Sequence, residues 1–130
     1  MPSVTFDPTT NQIVIRAYLH GRRGRVEGFF LVDTGSQVTS MDPELIAGCG
    51  YHVRDGQRLS RLLGPSDSGS LGWVLRTDAF EAFGIRCDDF EVHVHDQPRE
   101  DGIDGLLGMD WLLWHVMLID GPGGSIEVAR

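Results

Sequence analysis

Apolar residues early in the chain recur at every second position. Ile13, Ile15, Ala17 and Leu19 alternate with more polar neighbours, the period of a strand with one face in a core. His20 to Gly24 has turn composition. Val26 to Val32 reads as a second strand whose continuous apolar end predicts burial on both faces. A short strand is expected over Val38 to Met41. Asp42-Pro43-Glu44 then has the form of a helix start, with Asp42 as N-cap and Pro43 at the first helical position. Gly48 and Gly50 keep that helix brief.

Gln57 to Leu63 and Leu71 to Thr77 read as two strands around Gly64-Pro65-Ser66-Asp67-Ser68-Gly69-Ser70. Phe90, Val92 and Val94 alternate with Glu91, His93 and His95, which predicts another strand. Ile103 to Leu107 follows a polar loop, and Asp110 to His115, starting near Met109, is expected to be the one substantial helix. Val116 to Ile119 and Ser125 to Val128 close the chain around Gly121-Pro122-Gly123-Gly124. With no internal repeat or linker, residues 1–130 are expected to form a single all-β domain with one short late helix.

Composition agrees and narrows the function. A 41% apolar and 23% charged chain is ordinary for a soluble globular protein, and seventeen glycines suit a turn-rich β protein. A formal charge of −8 argues against a nucleic-acid partner, and Arg22, Arg23 and Arg25 read as a solvated hairpin tip. Nothing near Met1 resembles a secretory leader, and no apolar run has membrane-spanning length. The expectation is a soluble, cytoplasmic protein with no membrane partner, in which Cys49 and Cys87 remain thiols.

The segment that carries chemistry is Phe29-Phe30-Leu31-Val32-Asp33-Thr34-Gly35-Ser36. An apolar strand delivers a lone carboxylate into a tight turn of hydroxyl residues and glycine. Leaving that carboxylate ionised without partners is costly; N–H groups near Gly35 and the hydroxyls of Thr34 and Ser36 supply donors that stabilise and orient it.

Apolar-apolar-Asp-Thr-Gly-Ser resembles the active-site signature of aspartic peptidases. Asp104-Gly105-Leu106-Leu107-Gly108-Met109-Asp110-Trp111-Leu112 resembles their second characteristic segment. The order of the two segments, about 70 residues apart, is similar to that of the retropepsin-like, single-domain, retroviral-type branch, over most of the chain from Ile13 to Val128. The resemblance implies a closed, barrel-like acid-protease fold with a flap hairpin, acting as an aspartic endopeptidase on extended peptides or proteins. It implies a homodimer with a shared active site, Asp33 facing Asp33 of a second subunit, and no cofactor or metal. Thr34 would bond between subunits, Gly35 would let the backbone approach the carboxylate, and Ser36 would bond its outer oxygen. Leu106, Leu107 and Gly108 would support the turn from beneath. Gly64, Gly69 and Trp73 would belong to the flap and touch substrate. Retroviral enzymes commonly carry Arg where this chain has Met109, so the viral form of dimer contact is not expected here.

Plainer readings stand beside these. Asp67-Ser68-Gly69 lacks an apolar approach strand and reads as a turn. His93 and His95 share one side of a strand and could form half a metal site, but with no third ligand nearby an exposed sheet face is expected. Asp101 and Asp104 fail the spacing of a calcium loop. Trp111 and Trp114 read as core or dimer interface. The alternative function is a catalytically inactive module of the same fold that dimerises or binds peptides.

Overall fold

The computed structural model describes residues 2–62 and 70–129. Among these residues, twelve strands and two short α-helices follow one another: β1 (Ser3–Thr5), β2 (Val14–Gly21), β3 (Gly24–Val32), β4 (Ser40–Met41), α1 (Pro43–Gly48), β5 (Arg58–Leu62), β6 (Ser70–Arg76), β7 (Ala79–Ala82), β8 (Ile85–Asp88), β9 (Glu91–Val94), β10 (Gly105–Leu107), α2 (Met109–Leu112), β11 (Val116–Asp120) and β12 (Ser125–Ala129). Nine strands form one sheet in the order β5-β6-β9-β4-β10-β3-β2-β7-β8, and β1-β12-β11 form a second. The fold is all-β, as expected.

The alternation in β2 does what its period predicts: Ile15, Ala17 and Leu19 are buried and face one core. That core also takes Phe30, Leu75, Phe80, Val92, Leu107, Trp111 and Ile126, so strands far apart in the ladder meet inside it. A flat sheet could not bring them together; the sheet wraps around its own apolar face. Phe80 packs edge-on against Phe30 and stacks on Phe90, with centroids 5.4 and 5.3 Å apart.

Helix α1 begins as its sequence dictates. Asp42 is extended, and its carboxylate accepts from the Glu44 N–H at 2.9 Å with Pro43 in the first turn. Leu45 and Ile46 point into the core. The β5–β6 hairpin is present from Arg58↔Val74 to Leu62↔Ser70.

Several expectations are corrected. The end of β3 is not buried on both faces, since Phe29 is 40% exposed while Phe30 is buried. Phe29 faces a groove of about 570 Å³ whose lining includes Val4, Val14 and Arg16, and the Arg16 guanidinium lies over its ring. The short strand starts at Ser40 rather than Val38, because Val38 supplies its carbonyl to a turn instead. The late helix is only Met109–Leu112 and α1 is the longer of the two. His93 and His95 do not form an exposed face: His95 is buried, His93 half-buried, and both bond Ser60. Finally, β7, β8 and β1 occupy segments where no strand was expected. No helix among the described residues is long and apolar enough to cross a membrane, and neither Cys49 nor Cys87 is in a disulfide.

Candidate active site

The topology places the end of β3 at the centre of the large sheet. On one side β2 runs antiparallel to it. On the other, β10 runs parallel, with Gly105↔Phe30, Leu106↔Leu31 and Leu107↔Val32 in register. The chain therefore leaves β3 at Asp33 with a fixed direction, and the Asp33 N–H extends the ladder by one bond, donating to the Leu107 carbonyl at 3.0 Å.

Asp33 is half-buried, while Thr34 and Gly35 are exposed. The Gly35 N–H donates to Asp33 Oδ1 at 2.8 Å, and the Ser36 N–H donates to the Asp33 carbonyl at 3.2 Å. The carboxylate is thus oriented by its own turn, as a negative charge bonded to a backbone donor. A methyl group at Gly35 would lie 3.1 Å from Asp33 Oδ1, tight enough to press on that carboxylate. Ser36 departs from its expected position: its hydroxyl donates to the Val38 carbonyl at 2.7 Å and closes the far end of the turn.

The turn rests on the segment 107–110. Leu107 is fully buried and Leu106 half-buried. Gly108 lies so close beneath that an added Cβ would sit 2.3 Å from the Val38 carbonyl oxygen and 3.0 Å from that of Ser36. The Met109 and Asp110 N–H groups then donate to Ser36 and Gln37 at 2.8 and 3.2 Å.

Two residues that the sequence reading left unassigned complete this zipper. The Asp110 carboxylate accepts from the Thr39 N–H at 2.9 Å and the Thr39 hydroxyl at 2.7 Å. The same hydroxyl oxygen accepts from the Gly108 N–H at 3.2 Å. Asp110 stands in the first turn of α2, where a negative charge suits the helix dipole. Nothing local in the sequence points to its bond with a residue 71 positions earlier.

The other expected site residues lie apart. Trp73 is half-buried on β6, packed against the core and over Gly56. Gly64 and Gly69 lie outside the described residues, as does Asp67. Among the described residues, no three His, Cys, Asp or Glu side chains are grouped to hold a metal ion.

Chemically, the turn offers one oriented carboxylate with an exposed rim. Such a group can take a proton from water or give one to a substrate. It cannot do both at once, so acid–base catalysis at this site needs a second titratable group opposite it.

Comparison with known proteins places this geometry. The sequence model of a family described as aspartyl protease matches residues 16–111. Among curated proteins, none matches the sequence. The structure is similar to a retropepsin-like aspartic protease from Rickettsia conorii, with a TM-score of 0.68 and 16% identity, covering 98% of this chain and 96% of that one. It is also similar to the retroviral protease-like domain of Ddi1 from Leishmania major, with a TM-score of 0.64 and 18% identity over 92% of this chain and 89% of that one. At those identities the likeness speaks for the fold, which is retropepsin-like. The matched span runs from within β2 through the Asp33 turn to the helix behind it, and by that match the chain belongs to the aspartyl protease family.

Proposed function

We propose that the protein is an aspartic endopeptidase, working as a homodimer in which two copies of Asp33 face each other and share one proton. The observation that carries this reading is the Asp33 turn itself: a carboxylate at the end of a strand inside the large sheet, bonded to the Gly35 N–H and seated on Leu107. Like charges that close cannot both ionise comfortably, so one carboxylate stays protonated, the general behaviour of aspartic protease pairs. The ionised one takes a proton from a water molecule as it attacks the scissile carbonyl. The protonated one gives its proton to the carbonyl oxygen.

Substrate would lie extended against the site, held by main-chain hydrogen bonds with side chains in alternating pockets. The second copy has a candidate surface in β11 and the end of α2. Leu113, Trp114, Val116 and Leu118 are exposed there, and β11 pairs with β12 alone among the described strands.

The test is digestion of a peptide library between about pH 3 and about pH 7. Wild type is expected to cut, and Asp33→Asn to keep its solution mass while losing cleavage. Equal cleavage by the two proteins would end the proposal. Binding of a statine-type transition-state mimic separates the enzyme from an inactive peptide-binding module, because the mimic's hydroxyl needs both carboxylates.

A further inference from the structure

Ser60 lies in the middle of β5, two strands away from β9 in the sheet. Even so, its hydroxyl oxygen is 2.5 Å from His93 Nδ1 and 2.9 Å from His95 Nε2, both on β9 or its first following residue. The strand between them makes this possible. Gly72 of β6 pairs with Ser60, and a Cβ on Gly72 would sit 1.9 Å from the Val94 carbonyl oxygen and 3.0 Å from the His95 ring. Only glycine leaves room for an imidazole to cross β6. Ser60 is 4% exposed and His95 3%, so that half of the link is shut away from water, while His93 is half-buried.

A serine hydroxyl has one hydrogen and two acceptor sites. With both imidazoles neutral, it can donate to one ring and accept from the other, or accept from both. With both protonated, each ring presents a donor, the hydroxyl hydrogen loses its partner among them, and two positive charges converge on one oxygen.

Among the described residues, the nearby charges do not outweigh the burial of the two rings. His93 faces Glu91 on its own strand, Arg58 of β5 and Asp110 of α2; His95 faces His93 and Asp96. Glu91 is already paired with Arg58 and Arg76, and Asp110 already holds Thr39.

We infer that Ser60, His93 and His95 form an acid-sensitive clasp, which ties the β5–β6 strand pair to β9 while the rings are neutral and lets that pair loosen when they are protonated. Burial is the main cause that holds both imidazoles below the ordinary histidine value, and the charge of His93 lowers His95 further. The sign follows directly. A group whose folded value is depressed stabilises the fold above its unfolded value, about pH 6.5 for histidine, and that stabilisation is lost as pH falls below it.

The clasp does not depend on the peptidase reading, and its test uses no substrate. Hydrogen exchange of the full chain is measured at about pH 7.5 and about pH 4.5, after correction for intrinsic rates. In wild type, β5 and β6 are expected to lose about tenfold in protection on acidification while β2 and β3 keep theirs. The double variant His93→Gln/His95→Gln should lose the pH response. Ser60→Ala should exchange fast at both values. Unchanged protection of β5 and β6 in wild type overturns the inference, as does equal acid loosening in the double variant. Should the double variant fail to fold, His93→Gln alone, at the more exposed ring, replaces it, and the wild-type comparison decides without any variant.

Discussion

Asp110→Asn tests how the candidate site is held. Thr39 is fully buried, and both its donors end on the Asp110 carboxylate, the N–H at 2.9 Å and the hydroxyl at 2.7 Å. The two Thr39 donors end on different carboxylate oxygens, and in that geometry an amide sets its NH₂ against one of them, which then lacks an acceptor. Turning the amide nitrogen toward the hydroxyl does not restore the balance. The hydroxyl oxygen already accepts from Gly108, and its own hydrogen would then point at no acceptor.

A buried donor left without a partner costs about 1–3 kcal/mol, so a loss of about 2 kcal/mol is expected. With a urea m-value of about 1–3 kcal/mol/M, the unfolding midpoint falls by about 1 M. Asp110→Ala strands both donors and should cost about 3 kcal/mol or more. Thr39→Val completes the cycle: if the carboxylate acts through Thr39, the double variant should fall short of the summed losses by about 0.5–3 kcal/mol. Urea unfolding followed by tryptophan fluorescence reads wild type and the four variants. A midpoint for Asp110→Asn within about 0.3 M of wild type would refute the brace.

Three other outcomes are expected. Gly108→Ala, whose Cβ would meet backbone at 2.3 Å, should cost about 1–3 kcal/mol and reduce cleavage more than stability explains, since the displaced atoms carry the Asp33 turn; wild-type midpoint and rate together would contradict that packing. Leu118→Glu, at a side chain 62% exposed, should change the stability of a single chain by no more than about 0.5 kcal/mol yet halve the solution mass seen by light scattering, and an unchanged mass would clear β11 of the dimer contact. Cys49, buried with its thiol donating to the Leu19 carbonyl, has its pKa pushed up to about 11 by that burial; only about one thousandth is thiolate near pH 8, so a disulfide reagent should label Cys87 first and Cys49 only on unfolding, and equal rates in the folded protein would count against this.

What the sequence displayed was whatever depends on neighbours along the chain. The period-2 burial of Ile15, Ala17 and Leu19, the Asp42 cap with Pro43, and the Asp33-Thr34-Gly35-Ser36 turn are all local. What it hid was set by pairings between distant segments. Strand β10 enters between β3 and β4, parallel to the first and antiparallel to the second, so Leu107 reaches the residue before Asp33. Nothing in Gly105-Leu106-Leu107 names that neighbour. The β7–β8 hairpin was hidden for another reason. Its turn puts Phe83 at φ +54° and Gly84 at φ +72°, and a bulky residue in that region is strained. Phe83 is held there because its ring is buried against Trp111, with centroids 5.5 Å apart. The histidines went astray because Gly72, not a third ligand, decides what His95 can reach.

Read as the proposed peptidase, a single copy of this chain is unfinished in two ways. In its chemistry, the described residues supply one oriented carboxylate where acid–base hydrolysis of a peptide needs two proton-carrying groups. In its packing, Leu113, Trp114, Val116 and Leu118 lie in water within six residues of one another, beside a strand that pairs with β12 alone among the described strands. A monomer with such an edge tends toward uncontrolled association unless something covers it. The turn and the patch are also mechanically joined, because α2 hangs from the same Gly108 that seats the turn, and Met109 and Asp110 bond Ser36 and Gln37 directly. Association through β11 would therefore act on a segment already bonded to the Asp33 turn. A second copy answers both deficiencies at once, whereas an unrelated partner on β11 answers only the second and brings no Asp33.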